Sequence, residues 1–255
     1  MTRIIGVLNF KGGTGKTTTV VNLAAGLAQQ GQRVLCVDLD AQGSVAAYFG
    51  AKYNYTLYHL IVWKVPAAQC IHRVRPNLDI LAGDPSILDV QGHLWRMNDD
   101  ETSRYVLQER LAGLTDYDFV LVDYSPSASI LSENGLLYIR ELFVPVSLTH
   151  LSVMGFIQVS KTLREISRTP EHQIRLSLII PTFYNIRRRK DREILASLQH
   201  RFPQYITDPI RENVKLAEAP GQRKTIFEYA PTSNGAEDYR KLIERVMTQS
   251  LNSKH

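Results

Sequence analysis

The sequence contains little cysteine and no long apolar run. Only two of its 255 residues are cysteines, Cys36 and Cys70, so the chain has no disulfide framework. Cys36 lies in an apolar run, where we expect a small core residue. No stretch approaches the about 20 apolar residues of a membrane span, and the N-terminus enters a strand-like run without the pattern of a signal peptide. We therefore expect a soluble cytoplasmic protein.

Other biases of composition are weak as well. The chain has no internal repeat, low-complexity tract or obvious linker. Its net charge of +5 is a modest excess, which matters for binding only where basic residues cluster. Apolar residues make up 44% of the chain, enough for a substantial core. We expect one α/β domain over residues 1–255.

A glycine-rich stretch at residues 10–19 is the most informative feature of the sequence. Before it, residues 4–8 read as a buried strand, and after it the apolar spacing of residues 20–30 predicts a helix. Strand, glycine-rich turn and helix are the context of a phosphate-binding loop. Such a loop turns its backbone N–H groups and a helix N-terminus toward phosphate oxygens. The predicted nucleotide-binding residues are Gly12, Gly13, Thr14, Gly15, Lys16, Thr17 and Thr18.

Within this loop, Lys16 and Thr17 are the side chains expected to contact the phosphates and the metal ion. Lys16 can reach the β- and γ-phosphates of ATP, and the Thr17 hydroxyl can ligate Mg²⁺. The first glycine of the usual pattern is replaced by Phe10, and a lysine, Lys11, precedes the glycines. This variant resembles the deviant Walker A box of the ParA/MinD family of ATPases. In that family the early lysine reaches across a homodimer to the partner's nucleotide, so the resemblance implies a catalytic role for Lys11.

Two further acidic segments follow predicted strands. Residues 38–43, Asp-Leu-Asp-Ala-Gln-Gly, resemble the family's switch segment, in which the second acid orients the attacking water. The resemblance implies that role for Asp40, with Asp38 supporting either the magnesium shell or the loop. The run 117–123 has the form of a Walker B strand, whose terminal Asp123 would hold Mg²⁺. Both acids are predicted at the carboxyl ends of strands, where ligands bind in open α/β sheets.

The rest of the chain alternates between strand and helix patterns. Such alternation predicts a doubly wound, mostly parallel sheet with helices on both faces. The additional elements predicted are strands at 77–83, 142–146, 175–180 and 205–210, and helices at 86–112, 152–167, 190–202 and up to about 250. The aromatic-rich residues 44–76 are harder to assign, and either core packing or a partner-docking surface explains them.

The family resemblance extends over nearly the whole chain and implies further site residues. In relatives, residues at the positions of Asn185, Pro209 and Asn213 lie near the adenine. In the ParA branch, which segment 210–220 resembles, similarly placed basic residues bind DNA without sequence preference as the ATP dimer. Phosphate contacts account for such binding. The candidate DNA-binding residues are Arg187, Arg188, Arg189, Lys190, Arg211, Lys215, Arg223 and Lys224.

The resemblance therefore implies a cytoplasmic, nucleoid-associated ATPase. It would form an ATP-dependent homodimer, bind DNA and position a plasmid, chromosome origin or protein assembly with a cargo-linked partner that stimulates hydrolysis. The C-terminal tail has too few apolar residues for the membrane helix of MinD-type members. Two alternatives stay open: a P-loop metabolic or cofactor-assembly enzyme, and a nucleotide switch with negligible turnover.

Overall fold

The structure is a computed structural model that describes residues 2–97, 101–149, 159 and 173–252. At its centre is a sheet with the strands β1 (Arg3–Val7), β2 (Val34–Asp38), β3 (Ile71–Arg75), β4 (Leu78–Leu81), β5 (Phe119–Asp123), β6 (Glu141–Ser147) and β7 (Arg175–Thr182). Their order is β3-β4-β2-β5-β1-β6-β7, and all pairs are parallel except β3 with β4. The predicted mostly parallel sheet is confirmed. Since β5 and β6 flank β1, the chain leaving β1 emerges in the middle of the sheet.

Helices connect the strands. They are α1 (Lys16–Gln29), α2 (Ser44–Phe49), α3 (Leu57–Ile61), α4 (Ala67–Cys70), α5 (Ile87–Arg96), α6 (Val106–Leu111), α7 (Ile130–Tyr138), α8 (Arg189–Arg201), α9 (Val214–Glu218), α10 (Ile226–Tyr229) and α11 (Asn234–Asn252), with 3-10 turns at Glu101–Arg104 and Ala219–Gln222. None of the helices in the described ranges combines the length and the apolar character needed to cross a membrane.

The sheet is covered on both faces because its strands are apolar at successive positions. In β2, Leu35 and Val37 belong to a cluster with residues of α3, α5, α6 and α7. Val34 and Cys36 point the other way, into a cluster with α1 and α11. A strand buried on both faces reads as a continuous apolar run, as parallel strands do. Both cysteines are buried and unpaired, as expected for Cys36.

One predicted strand does not form, and one strand was not predicted. Residues 205–210 run beside β7 but, among the described residues, form a single isolated bridge to it, between Ile206 and Ile179. The Thr207 N–H donates to Ile179 O, and the next rung would need an N–H at Pro209, which has none. Ile210 donates instead, one residue out of register. In the region that was hard to assign, 44–76, the structure has three short helices and the antiparallel edge strand β3. The helix predicted at 152–167 lies outside the described residues, apart from residue 159.

Candidate nucleotide-binding site

Residues 10–15 form a loop between β1 and α1. Gly13 and Gly15 have φ angles of 70° and 85°, a region that is costly for residues with a Cβ. A Cβ on Gly12 or Gly13 would meet no atom within 4 Å, so their backbone borders open space. Helix α1 starts without a side-chain cap and without an acid in its first turn. Its first N–H groups are thus available to an anion, and the loop with the helix end forms an anion-binding cradle.

Lys16 is the first residue of α1 and is only 7% exposed. Its Nζ donates to the carbonyl of Lys11 at 3.3 Å, inside the loop. Burial lowers the pKa of Lys16, while the Asp123 and Asp40 carboxylates act in the opposite direction. A buried ammonium group beside an anion cradle is favourable when a negative charge compensates it. The position suits pairing with a phosphate.

Asp123 ends β5 next to the loop and is fully buried. The Thr17 hydroxyl donates to Asp123 Oδ2 at 2.6 Å, whereas Asp123 Oδ1 has no hydrogen-bond partner among the described residues. Burial raises the pKa of Asp123 to about 7, although the bond from Thr17 and the charge of Lys16 lower it. A buried carboxylate oxygen without a partner, beside a hydroxyl, is a donor set that suits a hard cation such as Mg²⁺.

The described residues contain no group of three His, Cys, Asp or Glu that could hold a metal ion by itself. A Mg²⁺ ion usually keeps several waters and takes one or two protein oxygens together with substrate phosphates. Thr17 and Asp123 fit that sparse kind of site, so a cluster of protein ligands is not required.

The switch segment 38–43 turns away from β2 beside Asp123. Asp38 pairs in register with Asp123 across β2 and β5. Its Oδ1 accepts the Asp40 N–H at 3.0 Å, and its Oδ2 accepts the Val45 N–H at 3.1 Å. Both oxygens of Asp38 therefore hold the turn, which favours loop support over metal ligation for this residue. Asp40 is partly exposed and accepts the Gln42 N–H at 3.0 Å, so its carboxylate stands at the rim of the site.

Lys11 lies at the entrance of the loop and is partly exposed. Its Nζ donates to the Thr149 hydroxyl, just beyond β6, at 3.1 Å. The loop is also fixed by the Thr182 hydroxyl at the end of β7, which donates to the carbonyl of Thr14 at 2.9 Å. The loop is therefore held by contacts with the ends of the two neighbouring strands β6 and β7.

A cavity of about 210 Å³ adjoins the start of α1. Its lining residues are Gly15, Thr18, Thr182, Phe183, Ile210, Arg211, Asn213, Leu216, Ala217, Pro220 and Tyr239. Phe183 is 45% exposed and adopts a φ of 55°, which is unusual for a bulky residue and is typical of functional sites. The cavity is mostly apolar and has a few polar groups, as nucleoside-base pockets have.

Of the residues expected near the base, only Asn213 lines this cavity. Its side chain also caps α9 by accepting the Lys215 N–H at 2.8 Å. Asn185 instead donates to Glu212 at 3.2 Å and accepts the Arg187 N–H at 3.0 Å. Pro209 is not among the lining residues. Thr182 and Phe183 were missed in the sequence because their only local signal is that they end a strand.

The candidate DNA-binding residues fall into two groups. Arg188, Arg189 and Lys215 form ion pairs with Glu212, Glu193 and Glu218. Arg187, Lys190, Arg223 and Lys224 have no ion pair among the residues that the structure describes, and all four are exposed. The second group offers cationic side chains that are not already neutralised.

Arg211 differs from the other basic residues. Its Nε and Nη2 donate to Asp238 of α11 at 3.0 and 2.7 Å, and its backbone N–H donates to the same carboxylate. Asp238 is buried, and Glu237 provides a second acid at 2.8 Å. The hydrogen bonds that Arg211 donates to Asp238 and Glu237 raise the pKa of Arg211 further. Arg211 thus joins segment 205–213 to α11 and borders the cavity.

Comparisons with known proteins agree over most of the chain. Residues 2–176 match the family AAA_31, described as an AAA domain. The chain is 37% identical over 248 residues to the chromosome-partitioning ATPase Soj of Thermus thermophilus, covering 97% of this chain and 96% of Soj. It is 32% identical to the cell division protein PomZ of Myxococcus xanthus, covering 94% and 76%. Cobyrinic acid a,c-diamide synthase of Mycobacterium smegmatis, solved with ADP and magnesium, is 27% identical with a TM-score of 0.81, covering 97% and 94%.

Proposed function

This chain belongs to the ParA/MinD family of P-loop ATPases, and we propose that it is a ParA-like ATPase that uses ATP and Mg²⁺ to position a cargo. The observation that carries the proposal is the site itself, where Lys16 of the cradle lies beside Asp40 and Asp123 and hydrogen-bonds to Lys11. The descriptions of the relatives Soj, a chromosome-partitioning ATPase, and PomZ, a cell division protein, support the positioning of a cargo. The ADP and magnesium bound in the similar synthase support ATP and Mg²⁺ as the ligands of this chain.

In this proposal the phosphates of ATP bind the cradle of residues 12–18 and pair with Lys16. Thr17 and Asp123 would hold Mg²⁺, which supplies neutralisation of phosphate charge when it is bound. Asp38 keeps the switch turn in place through the N–H groups of Asp40 and Val45. Asp40 then orients the attacking water. Phosphoryl transfer needs this positioning and charge neutralisation and little covalent work by the protein, and we expect a weak intrinsic rate.

The apolar cavity beside α1 is the proposed site of the adenine. Phe183 places its ring next to Gly15, and Asn213 offers an amide at the cavity wall. Aromatic faces stack on nucleic-acid bases with a contribution of about 1–3 kcal/mol per base. We assign Asn185 to support the wall through Glu212 and not to contact the base.

Two subunits are proposed to associate, when ATP is bound, through the surface that carries the loop of residues 10–15. Lys11 is the residue assigned to the partner's nucleotide. Its ammonium donates to the Thr149 hydroxyl, just beyond β6, at 3.1 Å. This assignment implies an ATP-dependent homodimer, because a lysine that binds the phosphates of the partner's ATP stabilises the dimer only when ATP is present.

DNA binding is proposed for the exposed basic residues Arg187, Lys190, Arg223 and Lys224. They carry no ion pair among the described residues, so they can neutralise DNA phosphates without first breaking one. A dimer doubles their number, and binding would be independent of sequence and steeply dependent on salt, with a log–log slope of about −0.9 per phosphate neutralised. Association with the nucleoid and a cargo-linked protein that stimulates hydrolysis complete the proposed cycle.

A metabolic enzyme is the second candidate, favoured by the similarity to cobyrinic acid a,c-diamide synthase. The two proposals differ in what they require of DNA. A ligase-like enzyme would bind ATP and turn over with a small acid substrate whether or not DNA is present, whereas the positioning ATPase binds DNA only in its ATP state.

The deciding experiment measures binding to two unrelated duplexes by fluorescence anisotropy, with ATP and with ADP, at two salt concentrations. We expect equal binding to both duplexes, only with ATP, and a sharp loss at the higher salt. Replacing Arg187 and Lys190 with Glu should remove binding, while Arg96→Glu, an exposed arginine of α5, should not. Binding that is equal in ADP, or insensitive to the charge reversal, would refute the proposal.

The same charge-reversal variants require a check on the nucleotide site. Arg187 and Lys190 lie outside the cavity lining, so their replacement should leave ATP affinity and ATP-dependent dimerisation unchanged. Arg211 is unsuitable for this purpose, because its replacement would remove the guanidinium that pairs with the buried Asp238 and would disturb the cavity wall.

A further inference from the structure

Asn9 is a buried polar residue between β1 and the phosphate-binding loop. It is 0% exposed and lies two residues before Lys11. Its Nδ2 donates to the carbonyl of Pro145 in β6 at 2.8 Å, and its Oδ1 accepts the Lys11 N–H at 3.0 Å. One side chain thus connects β6 to Lys11 of the loop. A buried polar group that is satisfied on both sides in this way fixes the two segments relative to each other.

On the strand side, Asn9 replaces a missing rung of the sheet. The Leu8 N–H donates to Phe143 O at 3.1 Å. The two-residue repeat of a parallel ladder would next place the N–H of Phe10 on the carbonyl of Pro145. The chain turns into the loop at this point, and the Asn9 amide supplies the donor instead. The turn can therefore start here without leaving the Pro145 carbonyl unpaired.

On the loop side, Asn9 fixes the peptide group of Lys11. A side-chain oxygen that accepts the N–H two residues later is the Asx-turn arrangement. The carbonyl of Lys11 accepts from Lys16 Nζ at 3.3 Å and from the Thr14 hydroxyl at 3.4 Å. With its N–H and its carbonyl both held, Lys11 has a fixed backbone orientation, and its side chain extends to Thr149 at the end of β6.

We propose that Asn9 is a positioning residue that directs Lys11 out of its own subunit's site and toward the partner. This inference rests on the proposed function, in which Lys11 acts across the ATP dimer. The phosphate contacts of the same subunit come from residues 12–18, which are anchored by α1 and by Thr182. Loss of Asn9 should therefore reduce dimerisation far more than it reduces ATP affinity.

The test replaces Asn9 with Ala and uses Asn134→Ala as the matched control. Asn134 is also 0% exposed, and its amide donates to Ser103 O at 2.9 Å and accepts the Leu107 N–H at 3.2 Å, in contacts that do not involve the loop. Titration with a fluorescent ATP analogue measures affinity, and sedimentation with ATP measures dimerisation. For Asn9→Ala we expect ATP affinity within about threefold of wild type and at least a tenfold loss in the dimerisation constant. For Asn134→Ala we expect neither change.

Three outcomes would overturn the inference: normal dimerisation of Asn9→Ala, an equal loss of ATP affinity, or the same loss of dimerisation in Asn134→Ala. Lys11→Ala in the same assay separates the two proposals. If Lys11→Ala dimerises normally, the role of Lys11 across the dimer fails as well. If Lys11→Ala does not dimerise but Asn9→Ala does, only the role of Asn9 fails.

Amide hydrogen exchange on the wild-type protein provides a measurement that needs no variant to fold. The Lys11 N–H is bonded to Asn9, whereas Gly12 and Gly13 are exposed. Without nucleotide, the Lys11 amide should exchange at least tenfold more slowly than those of the two glycines after correction for sequence effects. Equal rates would show that Asn9 does not hold Lys11 in solution, and the inference would be wrong.

Discussion

Tyr124, directly after Asp123, offers a test of how buried polar groups affect the stability of this protein. Its side chain is 1% exposed, and its hydroxyl has no hydrogen-bond partner among the described residues. The hydroxyl lies against Gly135 of α7, where an added Cβ would be 2.8 Å away from it. Burial also raises the pKa of Tyr124 well above its usual value, so the hydroxyl stays neutral. Replacing Tyr124 with Phe removes only the oxygen.

The magnitude follows from two opposing effects. A buried hydroxyl without a partner costs about 1–3 kcal/mol in lost hydration, and the substitution removes that cost. Against this, the lost oxygen gives up a few dispersion contacts of about 0.1–0.2 kcal/mol each. We therefore expect Tyr124→Phe to increase the free energy of unfolding by about 1 kcal/mol. For a domain of this size, that corresponds to a rise in Tm of about 2–4 °C.

The assay is urea unfolding with a thermal melt, and Tyr239→Phe is the control. Tyr239 is equally buried, but its hydroxyl lies 3.3 Å from the Thr19 hydroxyl. Its loss should destabilise the protein by about 1 kcal/mol, so the two variants should differ by about 2 kcal/mol. ATP turnover of Tyr124→Phe should stay within about twofold, a barrier change of about 0.4 kcal/mol. Destabilisation by Tyr124→Phe equal to that of the control would refute the reasoning.

Three further predictions concern the site and its support. Asp40→Ala should keep ATP affinity and trap the ATP dimer, because the water loses its orienting carboxylate; turnover within about twofold of wild type would contradict the role. Phe183→Ala should weaken ATP binding by about 1–3 kcal/mol through lost stacking, measured against unchanged affinity for inorganic pyrophosphate. Burial raises the pKa of Glu141, but hydrogen bonds from Arg3 and Ser177 outweigh it, and the pKa of Glu141 is lowered. The contribution of Glu141 to the free energy of unfolding should be full above about pH 5 and should fall as the pH decreases through the lowered pKa. Glu141→Gln should reduce this loss of stability at acid pH, as measured by denaturant titrations at several pH values.

The phosphate-binding loop was predictable because its determinants are local. The apolar run before it, the spacing of its glycines and the order of Lys16 and Thr17 all lie within about one strand, turn and helix, and the structure has that arrangement. The shared location of Asp40 and Asp123 near Lys16 was also predictable, since acids that follow strands of a parallel sheet come to the same edge. The pairing of Asp38 with Asp123 across neighbouring strands is the direct consequence.

The strand predicted at 205–210 shows where local patterns mislead. The residues are apolar enough for a strand, but Pro209 lacks the N–H that a ladder to β7 needs, and the result is one isolated bridge, between Ile206 and Ile179. Strand β3 was missed for the opposite reason. Four of its five residues are only partly buried and Arg73 is exposed, as expected at the edge of a sheet, so it lacks the apolar run that marks the central strands.

The sequence by itself therefore determined the glycine-rich loop between β1 and α1, the mostly parallel sheet and the family. Only the tertiary structure decided which side chains complete the site and which basic residues are already paired. Arg211 meets Asp238 across 27 positions, and Asn9 meets Pro145 across 136. Contacts over such separations depend on the order in which the crossovers place the strands, and no local period in the sequence records that order.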